Sequence, residues 1–118
     1  EKIPFVNESL NMKDAIKILT NKKLGILVVI NKFRKTTGII TDGQIRRFNQ
    51  KKVDLRVLKV KEVMTKNPIS IDKNSLAVKA LALMNSKKIT SLCVYDKKNK
   101  YKTIGVIHIH NLLNLHIN

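Results

Sequence analysis

The chain has no tryptophan, 4% aromatic residues, one cysteine and eight acidic residues among its 118. Each scarcity excludes something. A single cysteine, Cys93, rules out an internal disulfide and points to a reducing, cytoplasmic setting. Scarce aromatics leave no platform on which single-stranded bases stack. No apolar run approaches the ~20 residues that a membrane span needs. The chain opens Glu1-Lys2-Ile3-Pro4, with neither an initiator methionine nor a signal peptide, as expected of a piece of a longer protein.

Positive charge is what the chain has in excess. Lys and Arg number 24 against the eight acids, a formal net charge of +16. The excess is spread along the sequence, and its longest purely basic runs are pairs such as Lys22-Lys23, Arg46-Arg47 and Lys87-Lys88. Lys dominates, whereas base readout favours Arg forks. Diffuse lysine reads as a solvated surface, with no nucleic-acid partner and no membrane partner expected. Abundant Lys, Asn and Ile fit an AT-rich coding sequence. At 43% hydrophobic, the chain folds around one core or two very small ones.

The organising feature is an internal repeat. Ala15-Ile16-Lys17-Ile18-Leu19 aligns with Ala80-Leu81-Ala82-Leu83-Met84, and Leu27-Val28-Val29-Ile30 aligns with Leu92-Cys93-Val94-Tyr95. Gly38-Ile39-Ile40 then matches Gly105-Val106-Ile107, and Pro4-Phe5-Val6 matches Pro68-Ile69-Ser70. The expected domains are residues 1–53 and 67–118, joined by a linker at 54–66. Each repeat reads as a short extended entry, a helix (10–22 and 75–87), two strands (26–30 and 37–40; 92–95 and 103–107) and a closing helix from near Asp42 and near His110. Ser9 and Asn74 are the expected helix N-caps. The order β-α-β-β-α, twice, predicts an α/β (α+β) fold in which two repeats pack with pseudo-twofold symmetry around a cleft.

These residues resemble a tandem pair of CBS domains, the modules named after cystathionine β-synthase. The likeness covers essentially the whole chain, through the repeat itself and Val63-Met64-Thr65-Lys66-Asn67-Pro68 entering its second copy. Two strings are more specific. Gly38-Ile39-Ile40-Thr41-Asp42-Gly43-Gln44-Ile45-Arg46-Arg47 and Gly105-Val106-Ile107-His108-Ile109-His110-Asn111-Leu112-Leu113 resemble segments of the KpsF/GutQ family, the arabinose-5-phosphate isomerases. That resemblance implies a non-catalytic regulatory and oligomerisation pair, with a catalytic sugar isomerase (SIS) domain upstream in the same chain. The parent enzyme would interconvert ribulose 5-phosphate and arabinose 5-phosphate for Kdo and lipopolysaccharide synthesis. A homodimer of pairs is expected, with a nucleotide or CMP-sugar as effector. The other readings are a stand-alone sensor of adenosine nucleotides and, more remotely, a basic nucleic-acid-binding domain.

The resemblance also implies a ligand site. In CBS pairs the hydroxyl after the Gly-x-x step meets phosphate at a helix N-terminus, and an Asp three residues on takes the ribose diol. Here Thr41 holds the first position and Gln44 the second, with Asp42 between. In the other repeat His108 and Asn111 stand at those positions, so both ribose carboxylates are amides, which lack charge assistance. Phe5, Val6, Ile69, Ser70 and Ile71 are the expected apolar wall. A plainer reading has Thr41 capping the helix and Gln44 in solvent. His108 and His110 share one face of a strand. No third ligand accompanies them, so neither a metal nor a cofactor is expected; the resemblance implies that both histidines line the ligand cleft. Cys93, between Leu92 and Val94, is expected in the core. Arg46 and Arg47 are expected on an exposed helix face, solvated or meeting phosphate.

Overall fold

A computed structural model of the chain describes residues 3–22 and 24–110, and they fold as two units, which divide after Asn67. The architecture is mixed α+β. In the first unit β1 (Phe5–Asn7), α1 (Met12–Lys22), β2 (Ile26–Ile30), β3 (Thr36–Thr41) and α2 (Asp42–Gln50) follow in order. In the second unit β5 (Ser70–Asp72), α4 (Ala77–Lys87), β6 (Ser91–Asp96) and β7 (Asn99–His108) repeat the pattern. Both sheets have the same connectivity: the entry strand runs parallel to the next strand, which pairs antiparallel with the third. A parallel pair needs a crossover, and α1 and α4 supply it.

The alternation of each strand sorts its side chains. β2 is buried almost throughout, as a central strand covered on both faces must be. Met12, Ala15 and Leu19 recur at helical spacing and meet Leu27, Val29 and Ile40 in the first core. Ala80 and Met84 of α4 meet Ile71 and Leu92 in the second.

Residues 54–66, expected as a linker, are structured and belong to the first unit. They form a 3-10 turn (Leu55–Val57), the short helix α3 (Val60–Val63) and β4 (Thr65–Lys66). Leu55, Val60 and Val63 are buried in the first core. The segment clasps the entry to α1: Met12 N–H donates to Leu58 O, Val60 N–H to Leu10 O and Lys61 N–H to Glu8 O. β4 then pairs with β3 as a fourth strand, Gly38 opposite Lys66 and Ile39 opposite Thr65.

Ser9 and Asn74 are not the helix caps. Their backbone N–H groups donate to Asn7 Oδ1 and Asp72 Oδ1, side chains that end β1 and β5 by turning the chain back on itself. α1 starts only at Met12, where Asn11 O accepts from Asp14 and Ala15, and α4 starts after Leu76 without a side-chain cap. The second closing helix, expected near His110, lies largely outside the described residues.

The fourth strand makes the two repeat glycines unequal. A Cβ on Gly38 would stand 2.6 Å from Met64 Sδ and 2.8 Å from Thr65 O, an approach that backbone cannot relieve. Among the described residues, a Cβ on Gly105 would meet only Val94, at an ordinary 3.7 Å. Gly38→Ala is therefore expected to destabilise the first unit by about 1–3 kcal/mol through overpacking, whereas Gly105→Ala should stay within about 0.5 kcal/mol. Urea unfolding of both variants checks this; equal losses would contradict the close approach of β4.

Candidate functional site

The first repeat's candidate site is built where β3 turns into α2. Thr41 has extended backbone (φ −124°, ψ 158°) and is the N-cap of α2. Its Oγ1 accepts from Gln44 N–H at 3.3 Å, and Gln44 Oε1 accepts from Thr41 N–H at 2.8 Å, so the two residues close a reciprocal capping box. Asp42 is exposed in the first helical turn, where a carboxylate complements the helix dipole, and its N–H donates to Gly25 O. Gly25 adopts φ +72°, and a Cβ there would lie 3.1 Å from Asp42 Oδ2.

Gln44 is not in solvent. It is 6% exposed, and its amide nitrogen donates to Val63 O at 3.3 Å and to Thr65 Oγ1 at 2.6 Å. Both ends of the side-chain amide are therefore engaged within the first unit. This role has a signature in the sequence, Thr-x-x-Gln, at the position where the family resemblance implies a ribose contact.

Two guanidinium groups fold back over the same helix start. A Cβ on Gly43 would lie 3.5 Å from Arg47 Nη1, 3.9 Å from Arg46 Nη2 and 3.8 Å from Thr41 Oγ1. Both arginines are exposed. Cations gathered at the positive end of a helix dipole are unfavourably placed unless an anion joins them.

The entry strands divide by their alternation. Val6 and Ile71, expected on a ligand wall, are core residues, 4% and 5% exposed. Phe5 is exposed, and Ile69 and Ser70 are half-buried, with Ser70 Oγ donating to Pro68 O. Of the expected wall, these three remain reachable. Phe5 lies opposite Val28 and Thr41 opposite Ile26, so both come out along the N-terminal half of β2.

In the second repeat His108 ends β7 and His110 follows. Their rings stack, centroids 4.7 Å apart, and His110 N–H donates to His108 Nδ1 at 3.2 Å. Among the described residues, no third His, Cys, Asp or Glu joins them in a group that would hold a metal. Asn111 lies outside the described residues. Cys93 is buried in β6; burial pushes its thiol up to about 11, against a smaller opposing effect of its hydrogen bond with Thr103. At that value it is a core side chain and not a nucleophile.

Two expectations follow. Gln44→Ala removes the reciprocal cap and leaves Val63 O short of a donor. The loss of stability should be about 1–3 kcal/mol, larger than the ~1 kcal/mol of an ordinary cap; denaturant unfolding measures it, and a loss below that of Thr41→Ala would contradict the tether. Partial burial, and then the neighbouring His110, hold His108 below its ordinary 6.5. Neutral His108 is thus favoured by folding, so its contribution is whole above pH 6.5 and declines as the pH falls below it. An NMR titration should place the His108 midpoint under 6.5, and His110→Ala should raise it; a midpoint at or above 6.5 would overturn the assignment.

Comparison with known proteins places this geometry. The CBS domain family matches twice, at residues 1–51 and 60–117. Arabinose 5-phosphate isomerase KdsD of Salmonella typhi is 41% identical over 113 residues, 96% of this chain and 34% of that protein. KdsD of Escherichia coli K12 is 39% identical over the same shares. The chain spans about a third of the length of these relatives. Among solved structures, the CBS domain protein NE2398 superposes with a TM-score of 0.86 at 23% identity, over 99% of this chain and 90% of that one. PAE2072 of Pyrobaculum aerophilum, solved as a complex with AMP, superposes with a TM-score of 0.84 at 17% identity, over 100% and 95%. With the repeat legible in sequence, the same strand connectivity in both units and the family matched in each half, the chain belongs to the CBS domain family, as a tandem pair.

Proposed function

We propose that the chain is the regulatory and assembly part of an arabinose-5-phosphate isomerase, non-catalytic in itself, and that it takes a nucleotide or nucleotide sugar at the start of α2. The parent reading rests on the likeness to KdsD over nearly all of this chain. In that reading a SIS domain precedes the pair and interconverts ribulose 5-phosphate and arabinose 5-phosphate.

The observation that carries the ligand is the convergence of Arg46 and Arg47 on the first turn of α2, beside Thr41. A phosphate placed there meets the Gly43 N–H, a hydroxyl and two guanidinium groups, while the Asp42 and Gln44 N–H groups are already given to Gly25 O and Thr41 Oγ1. Phe5 offers an apolar face to a base or sugar. Gln44 is spent on the cap and the tether, and it brings no carboxylate to a ribose diol. That favours a ligand held by its phosphate over one held by adenosine's ribose. Ligand binding would act on the isomerase by favouring one of two arrangements of the enzyme, through its differential affinity for them.

Calorimetry of the chain with a CMP-sugar, AMP and ATP tests the site. Saturable binding of the CMP-sugar, weakened about tenfold or more by Arg46→Gln with Arg47→Gln, is expected. AMP binding that is tighter than the CMP-sugar, and indifferent to the arginines, would favour the adenosine sensor instead. In the parent enzyme, deletion of residues 1–118 should abolish the ligand response of turnover; an unchanged response would sink the regulatory reading.

A further inference from the structure

The second unit holds a groove of about 460 Å³ that none of the functional residues above lines. It opens where β5 and β6 end and α4 begins, with Asp72, Ser75, Leu76, Lys79, Tyr95 and Lys97 in its walls. The histidine pair is at the other end of this sheet. Ser91 of β6 faces His108, whereas Tyr95 faces Asp72, about 13 Å further along at 3.3 Å per residue.

One of the groove's wall residues, Asp72, carries a buried polar atom without a partner. Asp72 Oδ1 accepts from Asn74 N–H at 2.8 Å, but Asp72 Oδ2 is buried with no hydrogen bond. An unsatisfied buried carboxylate oxygen is costly, and it calls for a donor. Beside it, α4 begins without a side-chain cap at Leu76 and with no acidic residue in its first turn. Lys79 and Lys97 reach the groove and form no ion pair with a described residue. Leu76, 71% exposed, and Tyr95 add an apolar surface.

We propose that this groove binds a small sugar phosphate. A sugar hydroxyl donates to Asp72 Oδ2. The phosphate meets Lys79, Lys97 and the free N–H groups that open α4. The C–H face of the sugar rests on Leu76 and Tyr95. Leu76 and Lys79 are exposed side chains of the wall, and binding requires that movement of the wall uncover the buried oxygen. Both halves of the ligand are required. Asp72 repels a bare anion, and a neutral sugar leaves the lysines and the helix start unanswered. This site is separate from the one at Thr41 and does not rest on the isomerase reading.

Titration of the isotope-labelled chain with ribose 5-phosphate, followed by amide NMR, tests it, with ribose and inorganic phosphate as controls. Saturable shifts at residues 74–79 and 95–97 are expected, with an affinity about tenfold or more above that for either control. Asp72→Asn, and separately Lys79→Gln with Lys97→Gln, should each weaken binding about tenfold, and Thr41→Ala should leave it unchanged. The lysine pair decides the matter if Asp72→Asn disturbs the fold. Equal affinity for inorganic phosphate would overturn the proposal, as would shifts centred on Thr41 or the absence of saturable shifts at millimolar ligand.

Discussion

The first unit depends on the buried amide of Gln44. A primary amide carries two donors and acceptor capacity at one oxygen, and burial makes each unmet bond expensive. Here the oxygen serves Thr41 and the nitrogen serves Val63 and Thr65. One side chain thereby joins the contiguous end of β3 and first turn of α2 to the segment running from α3 into β4, 19 to 21 residues further along the chain. The start of α2 is consequently held in place before any ligand arrives. The phosphate site proposed at Thr41 would need that preorganisation, because donors are useful only where they are fixed.

The same tether brings a fourth strand to the sheet of the first repeat. Segment 54–67 is clasped at α1, anchored by Leu55, Val60 and Val63 in the core, and delivered by Gln44 to the edge of β3. The arriving strand fits because Gly38 leaves room for Met64 and Thr65. At the matching place in the second repeat, Gly105 meets the described residues at ordinary distances and the described sheet has three strands. His108 there occupies the place of Thr41, and its ring is committed to stacking with His110. The two repeats therefore present different chemistry from equivalent positions, a hydroxyl with two arginines in one and paired imidazoles in the other.

Much of this was legible in the sequence because periodicity reports burial directly. The helical spacing of Met12, Ala15 and Leu19, and the apolar run Ile26–Ile30, place the elements of the first unit to within a few residues. Alternation sharpened the entry strands less well. A five-residue apolar wall was expected, yet a strand gives each face only every second residue, and Val6 and Ile71 went to the cores. The linker was misjudged for a similar reason. Val53, Leu55, Val57 and Val60 sit among lysines in a stretch too short for either period to show, so composition masked a segment that the core needs. Gln44 was read by its position in a family pattern, although its distance of three residues from Thr41 already spelled a capping box. Nothing local in the sequence distinguishes Asp72; only folding, which buries one oxygen and leaves it unpartnered, makes it conspicuous.

The net positive charge acquires meaning only once position is considered. Most of its lysines are exposed and separate, and screening at ~8–10 Å removes their long-range effect in ordinary salt. Charge matters where geometry gathers it against a fixed dipole. Arg46 and Arg47 do this at α2, and Lys79 and Lys97 do so near α4. The two places differ in their acidic member. Asp42 sits in the first turn of α2, exposed and able to swing into water, so a phosphate entering there displaces little. Asp72 cannot leave its place, since Oδ1 holds the turn after β5 while Oδ2 stays buried. A fixed carboxylate beside two lysines discriminates against plain anions and in favour of anions that also carry a hydroxyl. In the proposed groove, selectivity would therefore reside in the one held acid, Asp72, more than in the bases, which are many and loose.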